Sequence, residues 1–286
     1  MMARDINADD LEIAHLDPGR LEDLVVAQND IFVDYVIPLK SSVQFFQDFT
    51  RSVGGRIDDV IIATHDGAIV GYVNPVVDGK EAWIGGLGVT PGYRGLGIGR
   101  RLMLAAEEEV RGRGVEEVLL EVIDGNVPAS SLYHSIGYRN HRTYLSGEGR
   151  AVHFAGFGQA PERACLEDIE ESHRTIYADH CWQRRKPAAL AESARTCETY
   201  AVDGGFVMLR RIGTTGFTPF IGVLPDMRGQ GIGTSLTKFA INRLWDLGAF
   251  KIAIYNVNDD IVTRRMLDKF DFAVTLKQSE MRKTIR

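Results

Sequence analysis

The chain of 286 residues carries 33 Lys and Arg against 39 Asp and Glu, a net charge of −6, with 44% hydrophobic and 25% charged residues. This is the composition of a globular protein long enough for two ordinary domains, and its acidic balance speaks against a nucleic-acid-binding surface. No apolar run approaches the roughly 20 residues of a membrane helix and the N-terminal stretch has no signal-like apolar segment, so a cytoplasmic protein without membrane contact is expected.

Residues 12–16 form a first candidate strand, and 20–32 and 40–52 read as helices, the second with Val43, Phe46 and Phe49 along one side. Residues 59–64 and 68–73 flank His65-Asp66-Gly67, a hairpin signal, and 83–89 complete a meander. A glycine-rich turn over 89–99 follows, read Val-Thr-Pro-Gly-Tyr-Arg-Gly-Leu-Gly-Ile-Gly, and it opens an amphipathic helix over 100–113. A strand (118–123), a short helix (128–135) and a strand (138–145) come next. The glycine-dense stretch 146–161 joins the two halves, and 151–157 within it is either the last strand of the first half or the first of the second. Residues 165–180 and 187–196 read as helices, 199–202 and 205–210 as a hairpin around Asp203-Gly204, and 252–257 as a strand. Three cysteines, Cys165, Cys181 and Cys197, form no Cys-x-x-Cys pair, which predicts buried free thiols rather than disulfides.

The chain repeats itself. The turn recurs over 223–233 as Val-Leu-Pro-Asp-Met-Arg-Gly-Gln-Gly-Ile-Gly, and a constant offset of 134 holds from Val89/Val223 to Tyr138/Phe272. Under it Ile98, Leu102, Ala105, Ala106 and Val110 recur as Ile232, Leu236, Phe239, Ala240 and Leu244, one buried stripe in each helix. Leu166-Glu167-Asp168-Ile169 echoes Leu21-Glu22-Asp23-Leu24, and the second half ends one strand short, its sheet either incomplete or completed by its neighbour. A glycine turn between strand and helix presents backbone N–H groups at a positive helix end, which is a phosphate cradle. A Walker loop is excluded because Ile98 follows Gly97, and a dinucleotide fingerprint because Gly95, Gly97 and Gly99 are evenly spaced.

Arg94-Gly-Leu-Gly97-Ile-Gly99 resembles the Arg/Gln-x-x-Gly-x-Gly/Ala signature of the GNAT superfamily of N-acetyltransferases. Asn126-Val-Pro-Ala129-Ser-Ser-Leu132-Tyr133-His-Ser-Ile-Gly137-Tyr138 is similar to that family's Asn-x-x-Ala-x-x-Leu-Tyr-x-x-x-Gly-Phe block. The resemblance covers about 60–144 in the first half and mainly the turn and its helix in the second. It implies an α/β fold of two tandem GNAT-like domains, 1–148 and 149–286, each a mixed, mostly antiparallel twisted sheet flanked by helices. It implies acetyl-CoA as donor, its pyrophosphate on the N–H groups of Gly95, Leu96, Gly97, Ile98 and Gly99. The pantetheine arm would lie against the backbone of Leu87 and Val89, with Arg94 neutralising phosphate and Asn126 assigned to the donor side. A backbone N–H over 87–89 would polarise the thioester, and Tyr133 stands at the family's general-acid position, its phenol facing the sulfur.

The halves differ where chemistry is concerned. The offset sets Leu267 against Tyr133, Asp260 against Asn126, Thr263 against Ala129 and Asp271 against Gly137, so the first domain is expected to be the catalytic one. The second cradle, Val223, Arg228, Gly229, Gln230, Gly231, Ile232 and Gly233, either holds a second coenzyme A or only shapes the acceptor side. Glu81, Glu121 and Asp34 are candidate bases and equally solvated carboxylates, and ordered water can replace a dedicated base. Acceptor walls are expected over 32–39 and 139–144, where Phe32, Tyr35 and Tyr144 are pocket or core. His173, His180 and Cys181 have no zinc-ligand spacing, and no metal is expected. The function expected is transfer of an acetyl group to a primary amine of a small molecule or peptide in a ternary complex. The alternatives are a non-catalytic acyl-CoA sensor or scaffold module, and transfer of a longer acyl chain.

Overall fold

The computed structural model describes residues 10–37, 39–156 and 160–286. They divide into two units, one running to His141 and taking back Glu280–Arg286, the other Arg142–Ser279.

In the first unit β1 (Glu12–His15), β2 (Ile61–His65), β3 (Ala68–Asp78) and β4 (Glu81–Val89) pair antiparallel in sequence, after α1 (Leu21–Ile31) and α2 (Val43–Ser52) have intervened between the first two. Helix α3 (Ile98–Gly112) then carries the chain back to β5 (Glu117–Ile123), which pairs parallel to β4. A strand's side chains alternate between faces, so Ile61 and Ala63 enter the core under α3 while Val60 and Ile62 enter the core under α1 and α2. Ile98, Leu102, Met103, Ala106 and Val110 form the buried stripe of α3, and Ala105 stands at its half-buried margin. Helix α4 (Val127–Ser135) and the start of β6 (Arg139–Arg150) close this part of the chain.

The second unit repeats the plan. It comprises β7 (Glu162–Arg163), α5 (Leu166–Tyr177), α6 (Trp182–Arg185), α7 (Pro187–Thr196), β8 (Glu198–Val202), β9 (Gly205–Ile212) and β10 (Thr215–Val223). These are followed by α8 (Ile232–Asp246), β11 (Lys251–Asn258), α9 (Ile261–Lys269) and β12 (Ala273–Thr284). Strands β7 to β10 are antiparallel, and β10 is parallel to β11, so both units have mixed, mostly antiparallel sheets flanked by helices. The offset of 134 extends beyond the stretch legible in sequence. It relates both ends of α3 to α8, of α4 to α9 and of β6 to β12, and it maps the pair Glu81–Glu117 onto Thr215–Lys251.

The division does not fall at 148/149. Strand β6 continues to Arg150 and pairs antiparallel with β11 from Tyr144 to Arg150, so most of it counts with the second unit. The second half is therefore not a strand short: β12 is the counterpart of β6 under the offset, and it is β6 that pairs with β11. Residues 151–156 are not a strand: the Phe154 N–H and carbonyl are both taken by the Asn242 side chain, at 2.8 and 2.9 Å. Phe157 of the expected strand lies outside the described residues. In the other direction the end of β12 serves the first unit. Met281 and Ile285 join the core under α3, the Ile285 N–H donates to the Glu116 carbonyl at 3.0 Å, and Lys283 Nζ reaches the buried Glu107 carboxylate at 2.5 Å. The thiols also depart from expectation, since Cys181 alone is buried while Cys165 is exposed and Cys197 half-buried. Among the described residues no helix is long and apolar enough to cross a membrane, and no cluster of three or more His, Cys, Asp or Glu side chains could hold a metal ion.

The pair of buried Glu107 and half-buried Lys283 yields a stability prediction. Removing one partner strands a charge in a core, which costs roughly 3–5 kcal/mol, whereas an apolar pair of similar volume is often neutral. Lys283→Ala is therefore expected to lower the unfolding free energy by about 3 kcal/mol or more in urea titration, and Glu107→Leu with Lys283→Met by much less. Equal losses in the two variants would contradict this account.

Candidate active site

The site of the first unit begins with a fork. Strands β4 and β5 are in register from Glu81 opposite Glu117 to Ile84 opposite Leu120, and the register ends there although both strands continue. At that point β4 carries a bulge: Ile84 faces Pro75 on β3 but Leu87 faces Val73, so three steps along β4 match two along β3. A bulge re-aims a strand and adds local twist, which swings the 85–89 end of β4 away from β5. Leu87 and Val89 thereby lie on the part of β4 that pairs with β3 and no longer with β5. Gly88 is required here because a Cβ would lie 2.2 Å from Ile31 Cγ2, where the end of α1 presses on the fork strand.

The cradle closes the mouth of the fork. Gly95 and Gly97 take φ of +82° and +78°, values that L side chains adopt only under strain, and Gly97 is the N-cap of α3 with no side chain capping it. The first-turn amides of α3, from Ile98 and Gly99 onward, have no acceptor within the helix, and the helix dipole favours an anion at that end. Arg94 is turned differently from expectation. Its guanidinium grips the Asp34 carboxylate at 2.6 and 2.8 Å, the Ile31 carbonyl at 2.8 Å and the Val89 carbonyl at 3.1 Å. It ties the cradle to the end of α1.

Helix α4 lies behind the cradle, with Leu132 near Gly99: a Cβ there would lie 3.3 Å from Leu132 Cδ2. Asn126 is the N-cap of α4, its Oδ1 accepting from the Ala129 N–H at 3.3 Å, which gives it a structural duty not evident in sequence. Tyr133 is buried at 7% exposure, its ring edge-on to Tyr138 at 6.0 Å. Burial raises its phenol above the ordinary value, and the nearby Tyr35 phenol adds to the shift. A group shifted upward keeps its proton: Tyr133 is a donor, not a phenolate, across neutral pH.

The candidate bases separate. Glu81 begins β4 at the paired end, six residues from Leu87 or roughly 20 Å along a strand. Asp34 is engaged by Arg94, whose hydrogen bonds hold its carboxyl below the ordinary range. Glu121 stands just beyond the last paired residue of β5, half-buried, and accepts from the Trp83 indole at 2.6 Å. Of the expected acceptor walls, Phe32 packs partly into the core under α1 and meets Tyr35 edge-on at 5.1 Å. Pro38 lies outside the described residues, and Tyr144 belongs to the second unit, fully buried and stacked on His180 at 5.7 Å. Sequence reading missed Tyr72, whose hydroxyl accepts from Gln28 at 2.9 Å and stands 3.0 Å from where a Gly86 Cβ would be. Its place in a strand of apolar residues carried no signal.

The second unit has the same fork and cradle. Registered pairs between β10 and β11 run from Thr215–Lys251 to Phe217–Ala253, with a bulge between Phe217 and Phe220. Gly229 and Gly231 take φ of +81° and +84° ahead of α8, and Arg228 Nε donates to the Val223 carbonyl at 3.3 Å. Leu267 replaces Tyr133 and is equally buried.

The family model of the acetyltransferase (GNAT) family matches residues 28–138 and again 163–272. The chain belongs to this family. It is a tandem GNAT protein, with one match in each half. A mycothiol acetyltransferase from Geodermatophilus obscurus is 24% identical over 91% of this chain and 93% of its own length. Another from Thermobispora bispora is 37% identical over 84 residues, which span 27% of this chain and only 28% of that relative. Among solved structures, a GCN5-related N-acetyltransferase from Sphaerobacter thermophilus superposes with a TM-score of 0.71 at 16% identity, covering 98% of each chain. A tandem GNAT protein from the clavulanic acid biosynthesis pathway gives 0.70 at 13% identity, covering 96% of this chain and 99% of that one. At such identities the structural likeness is one of fold.

The Tyr133 environment of this GNAT protein sets a titration outcome. With the folded-state value raised, deprotonation is resisted as pH climbs through the ordinary 10.0. Spectrophotometric titration should show the same phenolate amplitude in wild type and Tyr133→Phe up to alkaline unfolding. An extra phenolate in wild type with a midpoint near the ordinary value would contradict the burial argument.

Proposed function

We propose that the protein is an N-acetyltransferase that moves an acetyl group from acetyl-CoA to a primary amine of a small molecule or peptide, in its first unit. The observation that carries this reading is the protonated, buried Tyr133 phenol on α4, behind a cradle and fork, where the second repeat has Leu267. In this reading the N–H groups of Gly95, Leu96, Gly97, Ile98 and Gly99 receive the pyrophosphate, and the backbone of Leu87 and Val89 receives the pantetheine arm. Donor and acceptor are held together, so the neutral amine nitrogen attacks the thioester carbon directly. A backbone N–H of the fork strand stabilises the charge on the carbonyl oxygen, the C–S bond breaks, and Tyr133 gives its proton to the leaving thiolate. The amine proton leaves by way of water toward Glu121, the first residue of β5 beyond its pairing with β4.

The cytoplasm, where coenzyme A thioesters are available, is the setting this implies. Relatives named mycothiol acetyltransferase favour a small-molecule acceptor, so amines related to mycothiol belong in any acceptor panel. Acyl-CoAs of increasing length would define the donor. A second reading, a non-catalytic acyl-CoA sensor, is favoured by the Arg94–Asp34 clamp, which links the cradle to the segment after α1. Tyr133→Phe separates the two. A general acid contributes roughly 10²–10⁴ in rate, so kcat should fall by about a hundredfold or more while coenzyme A affinity stays unchanged. Tight coenzyme A binding with no thiol release across a wide amine panel would favour the sensor.

A further inference from the structure

In the second unit the fork is occupied by the protein's own phenol. Tyr177, the last residue of α5 and 3% exposed, donates its hydroxyl to the Ile221 carbonyl at 2.9 Å and accepts from the Ile221 N–H at 3.0 Å. Ile221 is the counterpart of Leu87 under the offset of 134, lying likewise beyond the bulge, opposite Val207 as Leu87 lies opposite Val73. One hydroxyl therefore satisfies both backbone groups that, in the first unit, the donor reading assigns to the pantetheine arm.

The same construction stops one atom short in the first unit. The end of α1 and the end of α5 seat alike, a Cβ on Gly88 falling 2.2 Å from Ile31 Cγ2 and one on Gly222 falling 2.6 Å from Ile176 Cγ2. The next residue is Phe32 in one repeat and Tyr177 in the other, and Phe32 Cζ points at the fork strand, 3.2 Å from the Gly88 Cβ position. Phe32 has no hydroxyl to bond the strand. The Tyr177 ring is fixed by neighbours on several sides: edge-on to Phe220 at 5.2 Å, tilted on Phe206 at 6.3 Å and stacked on His173 at 5.1 Å. Moving it would leave a buried hydroxyl and two half-buried backbone groups without these partners, which costs more than the loss of one hydrogen bond.

We propose that Tyr177 closes the donor fork of the second unit, so that the chain has two phosphate cradles but one working coenzyme A site, kept open by Phe32. This rests on the donor reading given above for the first unit. Isothermal titration of the full chain with coenzyme A should give one molecule per chain, lost in Gly97→Val and retained in Gly231→Val. Phe32→Tyr, which adds one oxygen, should install the same cap on Leu87 and weaken that binding by about tenfold or more. Tyr177→Leu should reveal a second molecule per chain that Gly231→Val removes. Two molecules bound by wild type, or one lost in Gly231→Val but not in Gly97→Val, would overturn the proposal, as would unchanged affinity in a folded Phe32→Tyr. Should Tyr177→Leu fail to fold, the wild-type stoichiometry and the Phe32→Tyr arm still decide. Absence of any coenzyme A binding would instead overturn the donor reading itself, and this inference with it.

Discussion

Everything at the site depends on two parallel strands that pair for four residues and then part. A strand leaving its neighbour exposes backbone N–H and carbonyl groups to a cleft, and buried groups of that kind must find partners. The bulge in β4 creates this demand at Leu87, and the bulge in β10 creates it at Ile221. The repeats answer it differently. In the second unit the answer is internal, a phenol supplied by α5. In the first, the side chain in that place is Phe32, which has no hydroxyl to offer the strand. At this place in the fold the two repeats differ by a single oxygen.

The cradle was legible in sequence because all its determinants are local: glycines at alternate positions, a proline before them, a helical stripe after them. The duplication was legible for the same reason, and the structure extends the offset to the ends of β6 and β12, where no residue pattern had announced it. The contrast between Tyr133 and Leu267 is also legible in the alignment of the chain with itself. What escaped were relations between segments distant in sequence. Asp34 reads as a carboxylate among others until the fold brings it 2.6 Å from Arg94, sixty residues away. Tyr177 reads as one aromatic on an amphipathic helix until α5 is laid on β10. The strand at 138–145 was read too short because its continuation lacks apolar alternation: Gly147 and Gly149 are needed there for close neighbours, with a Cβ falling 2.9 Å from the Ala273 carbonyl and 3.0 Å from the Phe272 ring.

The boundary between the units follows from the same β6 and β12 pair. A unit defined by its core need not be a unit defined by its stretch of chain, and the last residues here are core of the first unit. Met281 and Ile285 stand with Leu102 and Val110, and Lys283 neutralises Glu107 on α3. The first core is thus incomplete until the C-terminal strand has been added, which couples its stability to the far end of the chain.

A chain that contains two copies of one fold is its own control experiment. Where a residue differs between copies but the local geometry does not, the difference is about chemistry and not about folding. Asn126 and Asp260 both cap their helices, accepting from the backbone N–H three residues on. Gly137 and Asp271 both take positive φ, at 105° and 54°, so the turn after the helix survives the exchange. These two exchanges therefore weigh little on the backbone. Tyr133 against Leu267 is another matter, since both side chains are buried and only one can donate a proton. The Phe32–Tyr177 exchange runs the opposite way, the hydroxyl lying on the copy without the proton donor. The phenol absent at Leu267 and the phenol present at Tyr177 are thus separate differences that fall on the same unit, one buried on α9 and one bonded to the strand beyond the bulge.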